Sequence, residues 1–169
     1  MCDRNKLAVI ARAEAEKPYS GKGNQGAPNI QDIVALFPKW SMDEANGLWC
    51  AAFVYHCALL AGFKIPVRPK EASCSLAGCA AWEEWAQADS RIEYHSGNDS
   101  DFQPAAGDIV LFDRVFNNTG HDHIGIVLEN YDDYIITAEG NVENVSRVLE
   151  RKKNSHIRAY IRIPDNFWY

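Results

Sequence analysis

The stretch Gly47-Leu48-Trp49-Cys50-Ala51-Ala52-Phe53-Val54-Tyr55-His56-Cys57-Ala58-Leu59-Leu60 constrains the fold more than any other part of the chain. It follows the polar, turn-prone segment Met42-Asp43-Glu44-Ala45-Asn46 and ends at Gly62, with Pro66 beyond. A run this apolar, entered from a loop and closed by a glycine, reads as a buried helix of about four turns. Cys50 falls in its first turn, where unpaired backbone N–H groups and the positive end of the helix dipole favour a thiolate. A free cysteine is also an ordinary small hydrophobe. The helix alone leaves Cys50 open between packing and chemistry.

The elements around this helix change character along the chain. Upstream, Asn5 to Lys17 carries Leu7, Ala8, Ile10, Ala11 and Ala13 at helical spacing and stops before Pro18. Tyr19 to Asn29 is a loop rich in breakers, and Asn29 is placed to cap a short helix over residues 30–37. Downstream, Ser73 is placed to cap a helix running through Trp82, Trp85 and Ala86, with both tryptophans on one core-facing side. Residues 91–102 read as a loop or a short edge strand. Five β runs follow, over residues 107–112, 123–129, 134–139, 142–149 and 157–163. Asn130-Tyr131-Asp132-Asp133 turns the second of these into the third as a hairpin. Helices first and strands second predict an α+β fold: N-terminal helices packed on one antiparallel sheet of five or six strands.

At 169 residues the chain fits one domain, with residues 1–40 as a helical extension. A net charge of −6 argues against a general nucleic-acid binder. The basic tract from Arg147 to Arg162 reads as a solvated face around a hairpin. No apolar stretch reaches the ~18 residues of a membrane span. Met1 to Lys6 opens no hydrophobic signal core, so the expectation is a chain kept in the cytoplasm, or delivered by a route that reads no such signal. The five cysteines, Cys2, Cys50, Cys57, Cys74 and Cys79, suggest reduced thiols rather than a disulfide framework. Cys74 and Cys79 are spaced poorly for zinc and read as core or loop thiols; no metal or organic cofactor is expected. Phe167-Trp168-Tyr169 has no assigned place.

A cysteine nucleophile needs a base within reach and a third group to orient that base. His56 lies in the same helix as Cys50 but on the wrong face, and His95 and His156 lie in polar segments. His121 and His123 start the strand His123-Ile124-Gly125-Ile126-Val127 on one face, and His123 abuts the apolar run. Gly125, two residues on, is expected to let the helix approach. The hairpin register sets Glu139, with Asn141 close by, beside His123, where a carboxylate fixes the imidazole tautomer.

Trp49-Cys50-Ala51-Ala52-Phe53-Val54, Gly107-Asp108-Ile109-Val110-Leu111-Phe112, His123-Ile124-Gly125-Ile126-Val127 and Glu139-Gly140-Asn141, in that order, resemble the CHAP domain. This is the cysteine/histidine-dependent amidohydrolase/peptidase branch of the NlpC/P60-like, papain-like group. The resemblance covers roughly residues 41–163 and marks them as the catalytic core. It implies Cys50 as nucleophile, His123 as base, Glu139 as orienting residue and Asn141 as a supporting polar group. The implied reaction is hydrolysis of amide bonds in peptidoglycan, as an endopeptidase or an amidase at the sugar–peptide junction. Two other readings stand beside it: hydrolysis of a small amide conjugate such as glutathionylspermidine, and wall-peptide binding without cleavage. The resemblance also leaves room for an inhibitor or immunity protein, and a monomer is expected. Trp49 occupies the position where many relatives place a polar donor, which leaves the Cys50 N–H as the expected oxyanion donor.

Overall fold

The computed structural model describes residues 2–21 and 26–169; part of the loop expected over 19–29 lies outside them. Six antiparallel strands form one open sheet: β1 (Glu93–Ser96), β2 (Ile109–Phe112), β3 (His123–Asn130), β4 (Tyr134–Val142), β5 (Val145–Lys152) and β6 (Ile157–Arg162), in the order β1-β6-β2-β3-β4-β5. Among the described residues five helices precede them: α1 (Arg4–Ala15), α2 (Gln31–Val34), α3 (Met42–Ala45), α4 (Cys50–Leu60) and α5 (Cys79–Ala88). The α+β class, with helices first and an antiparallel sheet second, is as the sequence predicts. Among the described residues no helix is long and apolar enough to cross a membrane.

Alternation along the strands decides what the sheet offers to each side. Ile109, Leu111, Ile124, Ile126, Ala138, Ala159 and Ile161 pack into the core shared with the helices. Val110, Phe112, Val127, Ile135 and Tyr160 form a smaller cluster on the opposite face with Phe102 and Ile157. α4 is apolar on every side, and all of it but His56, Leu59 and Leu60 is buried. It lies against β3, β4 and α1, so the first helix covers α4 and the sheet together. Gly140 makes the close approach possible, since a Cβ there would meet Phe53 Cβ at 2.4 Å. Gly125, expected to serve that purpose, faces the other way. Its missing side chain makes room for Glu139, whose Cγ would lie 2.8 Å from a Cβ at Gly125.

The turn between β4 and β5 fixes where α4 begins. Glu143 and Asn144 both have positive φ, 52° and 66°, the twist that a tight two-residue hairpin needs. The Asn144 carboxamide oxygen accepts from the Trp49 indole at 2.8 Å and from the Gly47 N–H at 3.3 Å. The Asn141 carboxamide donates to the Gly47 carbonyl at 2.7 Å. The end of β4 therefore holds the loop that leads into α4. Because β3 runs antiparallel to β4, this is also the end at which β3 starts, with His123.

Several local expectations are corrected. Asn29 does not cap α2: Ile30 holds that position, and the Asn29 oxygen accepts from the Ser20 N–H at 2.7 Å instead. The loop through Met42 contains a helical turn, capped by Ser41 and Glu44 bonding reciprocally to each other's backbone. Ser73 does not cap α5, which starts six residues on after Gly78; the Ser73 N–H and hydroxyl both donate to Glu84. Nor is the basic tract a merely solvated face. Arg151, Arg158 and Arg162 clamp the buried carboxylates of Glu139, Glu83 and Asp108, because a buried carboxylate requires a paired charge. At the C-terminus Phe167 and Tyr169 pack on Trp85 of α5, Tyr169 donates to Glu71, and Trp168 stays exposed.

Candidate active site

Cys50 is the first residue of α4, and no side chain caps that end of the helix. Its thiol opens onto a cleft of about 1520 Å³. Its lining includes the apolar Phe37, Trp40, Leu48 and Val67 and the polar Asn117, Thr119 and Asp122. Cys50 itself is 6% exposed, so only a narrow approach to the sulfur remains.

Behind the thiol, His123 and Glu139 are both fully buried, and Nε2 of the imidazole lies 2.5 Å from Glu139 Oε2. The carboxylate is held from two further sides. Thr137 Oγ1 donates to Oε1 at 2.6 Å, while Arg151 forks across both oxygens, Nε to Oε1 at 2.9 Å and Nη2 to Oε2 at 2.6 Å. Phe112 stacks beside the imidazole, and Phe116 meets it edge-on with ring centres 4.6 Å apart. Arg151 also lies over both phenyl rings. With Nε2 committed to Glu139, Nδ1 is the ring nitrogen left for Cys50; among the described residues it is buried without a conventional hydrogen-bond partner.

Protonation follows from these contacts. Burial alone would raise the Glu139 carboxyl, but the His123 charge and the Arg151 fork overcome it and hold the group at about 2. Burial also opposes a charge on His123, yet Glu139 and Cys50 raise the imidazole to about 9. Cys50 is lowered to about 5, first by a hydrogen bond from Cys79 and, against burial, by His123 and the Ala51 N–H. Between these limits the site holds a thiolate beside an imidazolium, with an ionised carboxylate behind it.

The structure brings together three of the four residues singled out in the sequence. Asn141 also lines the cleft, but its carboxamide donates to the Gly47 carbonyl, and its backbone takes a positive φ of 60° where the β4–β5 register shifts between Glu139 and Val142. His121 does not share a strand face with His123. It precedes β3 with a φ of 54°, and its ring turns away to Glu83 on α5. Arg151, Thr137, Phe116 and Cys79 were missed. Register alone points to the wrong cation for Glu139, because Arg147 lies directly across and Arg151 pairs with Ile135. Arg147 spends its charge on exposed Glu143. Thr137 was open to sequence reasoning, since it shares the Glu139 face two residues away.

The family model of the CHAP domain matches residues 41–141, a span that begins at the cap of α3 and ends at Asn141. No curated protein matches the sequence.

Proposed function

The chain belongs to the CHAP domain family, whose members are cysteine/histidine-dependent amidohydrolases or peptidases, and on that premise we propose that it hydrolyses amide bonds of peptidoglycan peptides with Cys50 as nucleophile. One observation carries the reading: a thiol at an uncapped helix N-terminus faces a deep-set His123–Glu139 pair and opens onto a cleft. The Cys50 thiolate attacks the substrate carbonyl, and the Cys50 N–H donates to the oxyanion that forms. His123 gives its proton to the departing amine. Water, deprotonated by the neutral imidazole, then attacks the thioester and releases the acid. Glu139, locked by Arg151, keeps Nε2 occupied so that Nδ1 faces the reaction.

Size favours a polymer segment over a small conjugate. A cleft of about 1520 Å³ exceeds the roughly 300–1,000 Å³ that suits a compact ligand. Its mixed lining suits an extended peptide, with apolar residues to meet side chains and polar residues to meet backbone amides.

The test is digestion of purified peptidoglycan followed by mass spectrometry of the released muropeptides. The wild-type chain should release new amino and carboxyl ends, and Cys50→Ala should release none. Equal release by the Cys50 variant would refute the assignment. Binding of wall fragments without any product would mark a recognition module instead.

A further inference from the structure

Cys50 is not the only thiol at the floor of the cleft. Cys79 Sγ lies 3.6 Å from Cys50 Sγ, although the two residues are 29 apart in sequence. Each is the first residue of its helix, Cys50 of α4 and Cys79 of α5, and neither helix has a side-chain cap at that end. Two helix N-termini therefore converge with a sulfur at each tip. Both cysteines line the cleft, Cys50 6% and Cys79 9% exposed, which leaves a narrow path for a small oxidant. We propose that Cys50 and Cys79 form a reversible disulfide under peroxide, with Cys79 as the resolving thiol that switches the site off and protects its nucleophile from over-oxidation.

The reduced site is arranged for that order of events. The Cys50 thiolate attacks one oxygen of hydrogen peroxide. The O–O bond breaks, an S–O bond forms, and hydroxide leaves, taking up a proton to become water. Cys50 is then a sulfenic acid, oxidised by two electrons at the expense of the peroxide. Cys79 next attacks that sulfur: an S–S bond forms, the S–O bond breaks, and the departing hydroxide carries off the Cys79 proton as a second water. The sulfurs close from 3.6 Å to the disulfide length of about 2.05 Å, a movement that thiols at adjoining helix tips can share.

Timing follows from the charge on Cys50. While Cys50 is a thiolate, Cys79 donates its S–H to it and is held protonated, chiefly by that hydrogen bond, then by burial and by the Cys50 charge. Sulfenic acid formation removes both the anionic acceptor and the charge. Cys79 then ionises more readily, at the moment when its attack is required. Cys57 and Cys2 are buried in the core, and neither lines the cleft. Cys74 is exposed and does line it, which makes it the rival partner.

Loss of activity on oxidation rests on Cys50 being the nucleophile; the crosslink does not, so it is read by mass rather than by turnover. The full chain is treated with hydrogen peroxide, digested without reductant and mapped. A Cys50–Cys79 crosslinked peptide is expected, with about 2 Da lost from the whole chain and regained with dithiothreitol. In Cys79→Ser the same treatment should instead carry Cys50 to the sulfinic acid, about 32 Da heavier and not reversed by dithiothreitol. Wild-type Cys50 found as sulfinic acid without a crosslink, or joined to Cys74, overturns the proposal, and that result needs no variant to fold. A crosslink in a chain that digests no peptidoglycan when reduced supports the disulfide pairing and removes the peptidoglycan reading.

Discussion

α4 carries two cysteines, and each lies near a histidine and a glutamate. At its N-terminus Cys50 faces His123 and Glu139. Two turns on, Cys57 follows His56, whose Nε2 lies 2.9 Å from Glu14 of α1. The residue types are the same, and the thiols go in opposite directions. Cys50 is driven down to about 5, whereas Cys57 is pushed well above its ordinary value by burial and then by the Glu14 charge. In the helix interior the nearby backbone N–H groups already bond within the helix, and Cys57 has no solvent exposure. His56 and Glu14 tie two helices together, with Tyr19 and Lys17 also donating to Glu14. A thiol, an imidazole and a carboxylate become a reactive set only where the thiol occupies a helix start that opens on a cleft.

The largest effect expected from breaking the comparison is at the two thiols. Cys50→Ala should lower peptidoglycan turnover by at least ~10⁴-fold, while Cys57→Ala should lose none and cost about 1 kcal/mol of stability. Muropeptide release and thermal unfolding read the two. Next come the carboxylates. Glu139→Gln leaves the imidazole without a fixed tautomer and should lower turnover by ~10²–10⁴-fold. Glu14→Gln should spare turnover and cost about 2 kcal/mol, since it loosens a buried charged cluster. Glu139 is held at about 2 against an ordinary 4.5. Its contribution to stability is therefore present above pH 4.5 and is lost as pH falls through about 2. A Glu14 variant that lost activity and a Glu139 variant that kept it would reverse the reading.

Arg151→Met should act more weakly, by roughly 10²-fold at most, because it moves the carboxylate without removing it. Losing the fork also leaves the Glu139 charge to His123 alone, so the alkaline limb of the pH–rate profile, which His123 sets, should shift upward. A change in rate with an unmoved profile would mean that Arg151 only supports the fold.

The contrast between the two thiols also marks what was legible in the chain. α4, the β3–β4 hairpin and the pairing of His123 with Glu139 follow from an apolar run, a turn signal and a two-residue period, all of them local. Arg151 and Cys79 were illegible for different reasons: Arg151 lies four residues past Arg147, the register partner of Glu139 on the next strand, whereas Cys79 arrives through a contact between helices distant in sequence. Arg151 belongs to a basic stretch that resembles any solvated hairpin until Glu139 is known to be buried and in need of a partner. Cys79 looked like a core thiol because nothing in its neighbourhood says that α5 starts where α4 starts. Gly125 and Gly140 show a subtler limit. Each signals a close approach, but which face receives it depends on how β4 meets α4. The Asn29 and Ser73 caps failed for the opposite reason, since a plausible local role gave way to a hydrogen bond made elsewhere.

The finest distinction is one of pH. Hydrolysis requires both the thiolate and the imidazolium proton, so its rate should rise through about pH 5, where Cys50 ionises, and fall above about 9, where His123 loses its proton. Alkylation by iodoacetamide requires the thiolate alone. It should rise through the same acid limb and then stay level above pH 9, because deprotonating His123 removes the proton donor but not the nucleophile. Cys57, buried and protonated, should stay unmodified across the whole range. Measured together, a two-limbed hydrolysis curve and a one-limbed alkylation curve would assign the acid limb to Cys50 and the alkaline limb to His123. An alkylation curve that fell with hydrolysis above pH 9 would instead place both limbs on a single ion pair whose loss disables the thiolate itself.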